Sequence, residues 1–178
     1  ADRVRTVPAD LDQAWPDLGP ADLVWASASV HHMADPADVV RQAFRTIKPG
    51  GLFAIVELGS FPTFFAAPAA AALEDRCHAA AAAKRTEHGM HMHEDWGTRL
   101  TEAGFTVEAE RRFEIDLRPP LPAAATRYAQ VTMQRIRHGL EDRLSAEDLA
   151  ALEKLAADLG PDDLHIRATR MVWLGRRA

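Results

Sequence analysis

Apolar positions in the first third of the chain follow two different spacings. Asp22–Ala26 (DLVWA) and Leu52–Leu58 (LFAIVEL) are short, mostly apolar runs, which are typical of strands buried on both faces of a parallel sheet. Between them the apolar residues recur at helical spacing and predict one buried helical face. These residues are Val39, Val40, Ala43, Phe44 and Ile47. A strand, a helix and a strand with short links predict a parallel pair joined by a right-handed crossover.

The predicted helix carries signals at both of its ends. Asp35 suits the N-cap, Pro36 suits the first helical position, and Asp38 stands three residues after the cap. The helix should stop at Lys48–Gly51 (KPGG), because a lysine favours the negative helix end and the glycines allow a tight reversal.

The residues before the first of these strands form a third strand-like run. Val4–Asp10 (VRTVPAD) ends in an acid, and we predict that Val4–Ala9 is a parallel strand adjacent or near-adjacent to Asp22–Ala26 and Leu52–Glu57. Residues 11–20 are polar and broken by prolines, which indicates a connecting loop or a short helix.

The second half of the chain is dominated by helical patterns. Residues 61–85 are alanine-rich and helix-prone apart from their prolines. Residues 121–144 carry apolar anchors at helical spacing, and Ser145–Asp148 is a capping pattern before another apolar helical face. A strand-like stretch, 166–177, follows these helices.

Composition narrows the class of protein. With 178 residues, 47% of them hydrophobic and 26% charged, the chain is long enough for one domain with a substantial core. The net charge of -5, without a basic run, argues against a nucleic-acid or anionic-membrane partner. No apolar run approaches the roughly 20 residues that span a bilayer, and the start shows no export pattern. One cysteine, Cys77, cannot form an internal disulfide. We therefore expect a cytoplasmic protein, whose natural N-terminus lies upstream because no initiator methionine is present.

Small residues and histidines follow the first predicted strand. Ala26–Ser29 (ASAS) lies at its carboxyl end, the edge at which parallel sheets bind ligands, and small side chains allow a ligand to approach the backbone. His31 and His32 come next, and an imidazole there can move a proton near neutral pH. The alternative is that the small residues only allow tight packing and the histidines only cap the strand.

These segments, in this order, resemble the second half of a class I S-adenosylmethionine-dependent methyltransferase. The resemblance rests on an acid after a strand, on DLVWASASVHHMAD, on the helix end IKPGG, on a strand-ending Glu57, and on LTEAGF further along. It runs from about residue 1 to 117 and returns at IRATRMVWLGRR. It implies an α/β fold with a Rossmann-like sheet, mainly parallel with an antiparallel last strand.

The same resemblance implies a partial domain. We expect one methyltransferase-like domain over 1–178, with helical insertions at 61–92 and 119–160 that could cover the acceptor or bind a partner subunit. The amino-terminal strands and the glycine-rich cofactor loop of the family are absent from this chain. Either the missing half lies outside this sequence, which we favour, or the fold has degenerated.

The resemblance also implies a cofactor site for S-adenosylmethionine. Asp10 would accept a hydrogen bond from the adenine amine, and the Leu11 amide would meet the ring. Ala26 and Ser27 would line the methionine part, with His31 toward the cofactor side. The alternative for Asp10 is an ordinary loop carboxylate.

His32 is the candidate catalytic residue. It lies three residues before Asp35, where related small-molecule enzymes hold a substrate-facing histidine. A base is needed only when the acceptor must lose a proton, as a hydroxyl or an amine does. Loss of His32 would matter little for a carboxylate acceptor.

Two further groups have structural and functional interpretations. Phe61, Phe64 and Phe65 could line an apolar acceptor site, although a core-facing cluster is the more ordinary interpretation. His88, His91 and His93 could meet zinc, but no fourth ligand stands at helical spacing, so we predict no metal. Cys77 has no partner pattern that marks a nucleophile.

We therefore predict methyl transfer from S-adenosylmethionine to a small-molecule acceptor, most simply at oxygen or nitrogen, by a chain that can form a homodimer. A non-catalytic methyltransferase-like module that binds a protein through its helical insertion is the alternative. A nucleotide-dependent reductase is a third hypothesis, and the KPGG turn and the two-helix insertion argue against it.

Overall fold

The computed structural model describes residues 3–92 and 94–178. They group into two compact units, each with its own apolar core. The sheet unit comprises Ala1–Leu58, Met90–Phe113 and Met171–Ala178, and the helical unit comprises Gly59–Gly89 and Glu114–Arg170. Two long strands, β4 (Phe105–Leu117) and β5 (Leu164–Arg177), contribute residues to both units.

The sheet unit contains the predicted strand–helix–strand element. Strand β1 (Ala21–Ser27) is followed by helix α1 (Pro36–Thr46) and strand β2 (Ile47–Leu58). β1 and β2 are parallel, in a register that pairs Leu23 with Leu52 and Ser27 with Val56. The predicted parallel pair is confirmed.

Helix α1 begins where its cap signal indicates and ends at Thr46, so KPGG lies in β2 and not at the helix end. The Asp35 side chain accepts a hydrogen bond from the Asp38 backbone N–H at 3.0 Å, so Asp35 is the N-cap, with Pro36 in the first turn. At the other end, the Arg177 guanidinium donates to the Phe44 and Arg45 carbonyls and to Ile47 O. These bonds satisfy carbonyls that a helix end leaves without partners. The predicted apolar face packs into the core through the buried residues Val39, Val40 and Ala43. Ile47, which was also predicted on this face, is buried as the first residue of β2.

The KPGG segment forms an irregularity inside β2. The pairing jumps from Ala21–Ile47 to Leu23–Leu52, so three extra residues are accommodated on the β2 side. Gly50 adopts a φ of +79°, and a Cβ at Gly51 would lie 2.6 Å from Ile47 Cγ2. The turn therefore requires glycine at both positions.

The rest of the sheet unit continues from the edge of β2. β5 lies next to β2, and β4 pairs with β5. Helix α3 (Trp96–Glu102) is capped by Asp95, which accepts a hydrogen bond from Thr98 N–H at 3.1 Å.

The helical unit packs its helices around a short strand. Strand β3 (Thr63–Phe65) is antiparallel to β5. The helices are α2 (Pro68–Glu87), α4 (Ala123–Gly139) and α5 (Ala146–Asp158). The capping pattern at Ser145 is confirmed, since its hydroxyl accepts a hydrogen bond from Asp148 N–H at 3.1 Å. In the described part of the chain, no helix is both long and apolar enough to cross a membrane.

The predicted strand Val4–Ala9 is wrong. The segment has no strand structure, and Val4 and Val7 are 83% and 39% exposed. A strand needs a neighbour for its amides and carbonyls, and none of the described strands pairs with this segment. Its backbone groups are therefore left to water.

Candidate functional site

The candidate site lies in the loop that follows β1. Ala28 has a φ of +48°, which is uncommon for a residue with a Cβ, and its N–H donates to Val56 O at 2.7 Å. The chain then forms a single 3₁₀ turn over Val30–His32. The small side chain at residue 28 allows the abrupt reversal that brings the two histidines to the strand end.

Glu57, near the carboxyl end of β2, fixes this loop. Its Oε1 accepts hydrogen bonds from Val30 N–H at 3.1 Å and Ser29 N–H at 3.3 Å. Its Oε2 lies 2.6 Å from His31 Nδ1. Glu57 and His31 are each 4% exposed. One buried carboxylate thus engages three groups of the loop. The sequence identifies Glu57 only as a strand-ending acid and gives no signal for this anchoring role.

His31 and His32 are adjacent but lie in different surroundings. The His31 ring is buried on Glu57, and its carbonyl accepts a hydrogen bond from His91 N–H at 3.1 Å. His32 is exposed, with its ring centroid 4.1 Å from that of His31. Among the described residues, the His32 imidazole has no hydrogen-bond partner.

The pKa of His32 is lowered from its ordinary value of 6.5. Desolvation is the main cause and the charge of His31 adds to it, while the Glu57 carboxylate opposes both. His32 is therefore neutral at physiological pH and has a free lone pair that can accept a proton.

Asp10 and Leu11 lie on a second exposed loop of the same unit. The Asp10 carboxylate accepts a hydrogen bond from Asp12 N–H at 3.1 Å, and Leu11 is 41% exposed. Asp12 in turn accepts from Ala34 N–H at 2.8 Å, just beyond His32. This bond joins the loop of Asp10 and Leu11 to the loop that carries His31 and His32. The structure therefore brings these four predicted site residues into one region.

Gln42 holds the Asp10 loop from the side of α1. Its Oε1 accepts from Trp15 N–H at 2.7 Å, and its Nε2 donates to Gln13 O at 3.0 Å and to Asp38 Oδ2 at 2.8 Å. Gln42 is buried. Its role was missed from the sequence, although a glutamine three residues after Val39 on a buried helical face is a usable signal.

The remaining predicted cofactor residues end β1. Ala26 pairs with Ile55 and is half-buried, whereas Ser27 pairs with Val56 and is exposed. Both lie immediately before the Ala28 reversal. The strand therefore ends in small side chains beside the loop that Glu57 anchors.

Two histidines of the histidine-rich segment have local side-chain contacts. His88 Nδ1 lies 2.6 Å from the Lys84 carbonyl of its own helix, and His91 Nδ1 lies 3.6 Å from Glu94. His93 lies outside the described residues. Among those that are described, no three His, Cys, Asp or Glu side chains are arranged to hold a metal ion.

The aromatic residues after β2 divide between a core and a cavity of the helical unit. Phe64 and Phe65 are buried, so the core interpretation is correct for them. Phe61 lines an open cavity. Cys77 is buried, and burial raises the pKa of its thiol to about 11, which keeps it protonated and unreactive at neutral pH.

Comparisons with known proteins agree with this architecture. A family model described as a methyltransferase domain matches residues 1–110. The chain is 30% identical over 138 residues to the 27-O-demethylrifamycin SV methyltransferase of Amycolatopsis mediterranei, covering 77% of this chain and 48% of that protein. The chain thus spans about half the length of that relative.

A solved structure shows the same fold. A protein from Bacillus halodurans, described as a methyltransferase, superimposes with a TM-score of 0.53 at 18% identity, covering 98% of this chain and 78% of that one. Together with the family match over residues 1–110, the Rossmann-like strand–helix–strand element establishes that the chain belongs to the class I S-adenosylmethionine-dependent methyltransferase family.

Proposed function

We propose that the protein transfers a methyl group from S-adenosylmethionine to an oxygen or nitrogen of a small-molecule acceptor. The observation that carries the proposal is the loop after β1, which Glu57 fixes while it leaves His32 exposed. The relative acts on 27-O-demethylrifamycin SV, a small molecule, which supports the acceptor class.

The residues at the strand end suit the cofactor. Asp10 offers an exposed carboxylate for an exocyclic amine, and the exposed Leu11 offers apolar contact for a ring. Ala26 and Ser27 would line the methionine part, and no large side chain follows them before His31. The sulfonium of the cofactor supplies an activated methyl group, so the protein's main contribution is to orient the two reactants.

His32 would remove the proton of a hydroxyl or amine acceptor. Its neutral imidazole has a free nitrogen, and its position is set by the turn that Glu57 holds. The His31 ring is instead 4% exposed and held at its Nδ1 by Glu57, so it is buried away from an incoming acceptor. We therefore assign His31 to positioning the loop, and not to proton transfer.

Calorimetric titration of the full-length protein with S-adenosylhomocysteine tests the proposal. We expect saturable binding that Asp10→Asn weakens by about 1 kcal/mol, since the amide oxygen accepts a weaker hydrogen bond than the charged carboxylate. Asp17→Asn is the matched control, because Asp17 caps a turn in the same loop through Gly19 N–H. Absence of binding by the full-length protein would overturn methyl transfer, whereas equal affinity of Asp10→Asn would remove Asp10 from the site.

A further inference from the structure

The helical unit contains an open cavity of about 490 Å³, which is within the range of small-molecule sites. Its wall comes from the segment after β2, from α2, and from the parts of β4 and β5 in this unit. The aromatic and ionisable side chains that line it are Phe61, His78, Arg85, Glu114 and Arg167.

Arg85 is the unusual group in this wall. Its guanidinium carbon lies 3.9 Å from the centre of the Phe61 ring, a cation–π contact. In the part of the chain that the structure describes, the Arg85 guanidinium has no hydrogen bond or ion pair. The side chain is half-buried, and burial lowers its pKa. A desolvated guanidinium without an anionic partner is costly, and an anion would relieve that cost.

The wall favours an anion for a second reason. Arg85 and Arg167 supply two guanidinium groups, against one carboxylate, Glu114. The pKa of His78 is lowered, mainly by burial and then by the charge of Arg85, although Asp75 opposes this. His78 is therefore an uncharged hydrogen-bonding group at neutral pH. The cavity wall keeps an excess positive charge.

The apolar part of the wall is aromatic. The Phe61 ring centre lies 6.4 Å from that of His78, and Ala82 of α2 lies between the turns that carry His78 and Arg85. Flat rings and a small residue leave room for a planar group. A planar ligand would bury its ring against Phe61 and keep its charge near Arg85.

We propose that this cavity binds an aromatic carboxylate, with the carboxylate on Arg85 and the ring against Phe61. The proposal goes beyond the proposed function, since it concerns a ligand of the helical unit and not the transfer of the methyl group. Arg85 and Phe61 are binding residues here, and the proton transfer assigned to His32 is not involved.

Direct binding of 2-naphthoate to the full chain tests the assignment. We expect saturable binding, and we expect Arg85→Gln to weaken it by about 10- to 100-fold, because a charged hydrogen bond is lost. Arg85→Lys should retain part of the affinity. Arg135→Gln is the control, since this exposed arginine of α4 does not line the cavity and makes the same change in net charge.

Two comparison ligands test the contributions of the carboxylate and of the aromatic ring separately. 2-Naphthylmethanol lacks the carboxylate, and it should bind weakly to the wild-type chain and to Arg85→Gln alike. Cyclohexanecarboxylate lacks the aromatic ring, and Phe61→Leu should weaken naphthoate more than cyclohexanecarboxylate. Circular dichroism of each variant establishes that it is folded. No naphthoate binding at millimolar concentration, or equal binding by folded Arg85→Gln, would overturn the proposal.

This experiment separates the two proposals. Arg85-dependent naphthoate binding by a full-length protein that does not bind S-adenosylhomocysteine supports the cavity assignment and overturns methyl transfer. Binding of S-adenosylhomocysteine without naphthoate binding overturns the cavity assignment and supports methyl transfer.

Discussion

At the scale of single residues, Glu57 is the side chain that joins the end of β2 to the loop after β1. It accepts hydrogen bonds from two backbone amides and from the His31 ring while it is almost fully buried. Removing one member of such a group leaves the others buried without partners, which costs more than the net value of a hydrogen bond. Glu57 therefore links the stability of the strand end to the geometry of the loop.

Glu57→Gln tests this link. The amide can still accept from a backbone N–H, but its NH₂ group cannot accept from the imidazole N–H, so we expect about 1–3 kcal/mol of lost unfolding free energy. Urea denaturation measures the loss. Glu110→Gln, at an exposed position of β4, should change stability by less than about 0.5 kcal/mol. Equal effects of the two substitutions would show that Glu57 does not anchor the loop.

His32 gives the second prediction at this scale. Its lowered pKa places the loss of its proton below pH 6.5, so turnover should rise with pH in that acidic range and level off by neutrality. His32→Gln should lower turnover by about 10²–10⁴-fold and leave cofactor affinity nearly unchanged. Steady-state rates between pH 5 and 8 give the profile, with the exposed His138→Gln as control. A flat profile would leave His32 without a proton-transfer role.

At the scale of elements, local signals were sufficient for β1, α1 and β2. The Asp35 cap and the buried face of α1 depend on residues close in sequence, and the structure confirms them. The helix stops before KPGG as predicted, but KPGG itself lies inside β2. The prediction of a strand at Val4–Ala9 was wrong because a strand also needs a neighbouring strand, and a local sequence pattern does not contain that information. For the same reason the sequence revealed neither Glu57 as an anchor nor Arg85 beside Phe61, since both roles depend on contacts between distant segments.

The KPGG turn gives a prediction for β2. A methyl group at Gly51 would meet Ile47 Cγ2 at 2.6 Å and Asp22 O at 2.9 Å, so the strand must shift to accommodate it. We expect Gly51→Ala to destabilise the protein by about 1–3 kcal/mol. Gly139→Ala is the control, because open space surrounds that position. Thermal denaturation compares the two, and equal melting temperatures would show that the turn tolerates a side chain at residue 51.

The contact between α2 and β3 gives a pH-dependent prediction. Both Glu74 carboxylate oxygens lie within 3.0 Å of Phe64 N, and burial raises the Glu74 pKa from 4.5 to about 7. The folded chain therefore holds this proton more tightly than the unfolded chain, so stability should fall as the pH rises from about 4.5 to 7 and then level off.

Glu74→Gln should remove this dependence. Its amide oxygen can still accept from Phe64 N–H but cannot ionise, so we expect the variant to gain about 1–3 kcal/mol over the wild type above pH 7. Denaturation at a series of pH values measures the difference. Glu147→Gln, exposed in the first turn of α5, should keep the wild-type slope. If Glu74→Gln also kept the wild-type dependence of stability on pH, Glu74 would not be the group that titrates.

At the scale of the whole molecule, the order of motifs carried more information than any one of them. Each motif alone is too short to identify a family. The motifs are an acid after a strand-like run, small residues at the end of β1, KPGG, Glu57 and EAGF. In this order they indicate the family that the match over residues 1–110 establishes. The chain covers 48% of the rifamycin-type relative, and the family assignment therefore rests on the match over residues 1–110 and on the order of these motifs.

The buried Cys77 has a practical consequence for following the unfolding of this molecule. It is the only cysteine and lies in the helical unit, whereas all four tryptophans, at positions 15, 25, 96 and 173, lie in the sheet unit. Thiol labelling and tryptophan fluorescence are therefore native, spatially separate reporters, without any engineered probe. Because β4 and β5 supply residues to both units, we expect the two signals to change at the same urea concentration. Labelling of Cys77 at lower urea than the fluorescence change would instead identify the helical unit as an independently opening part.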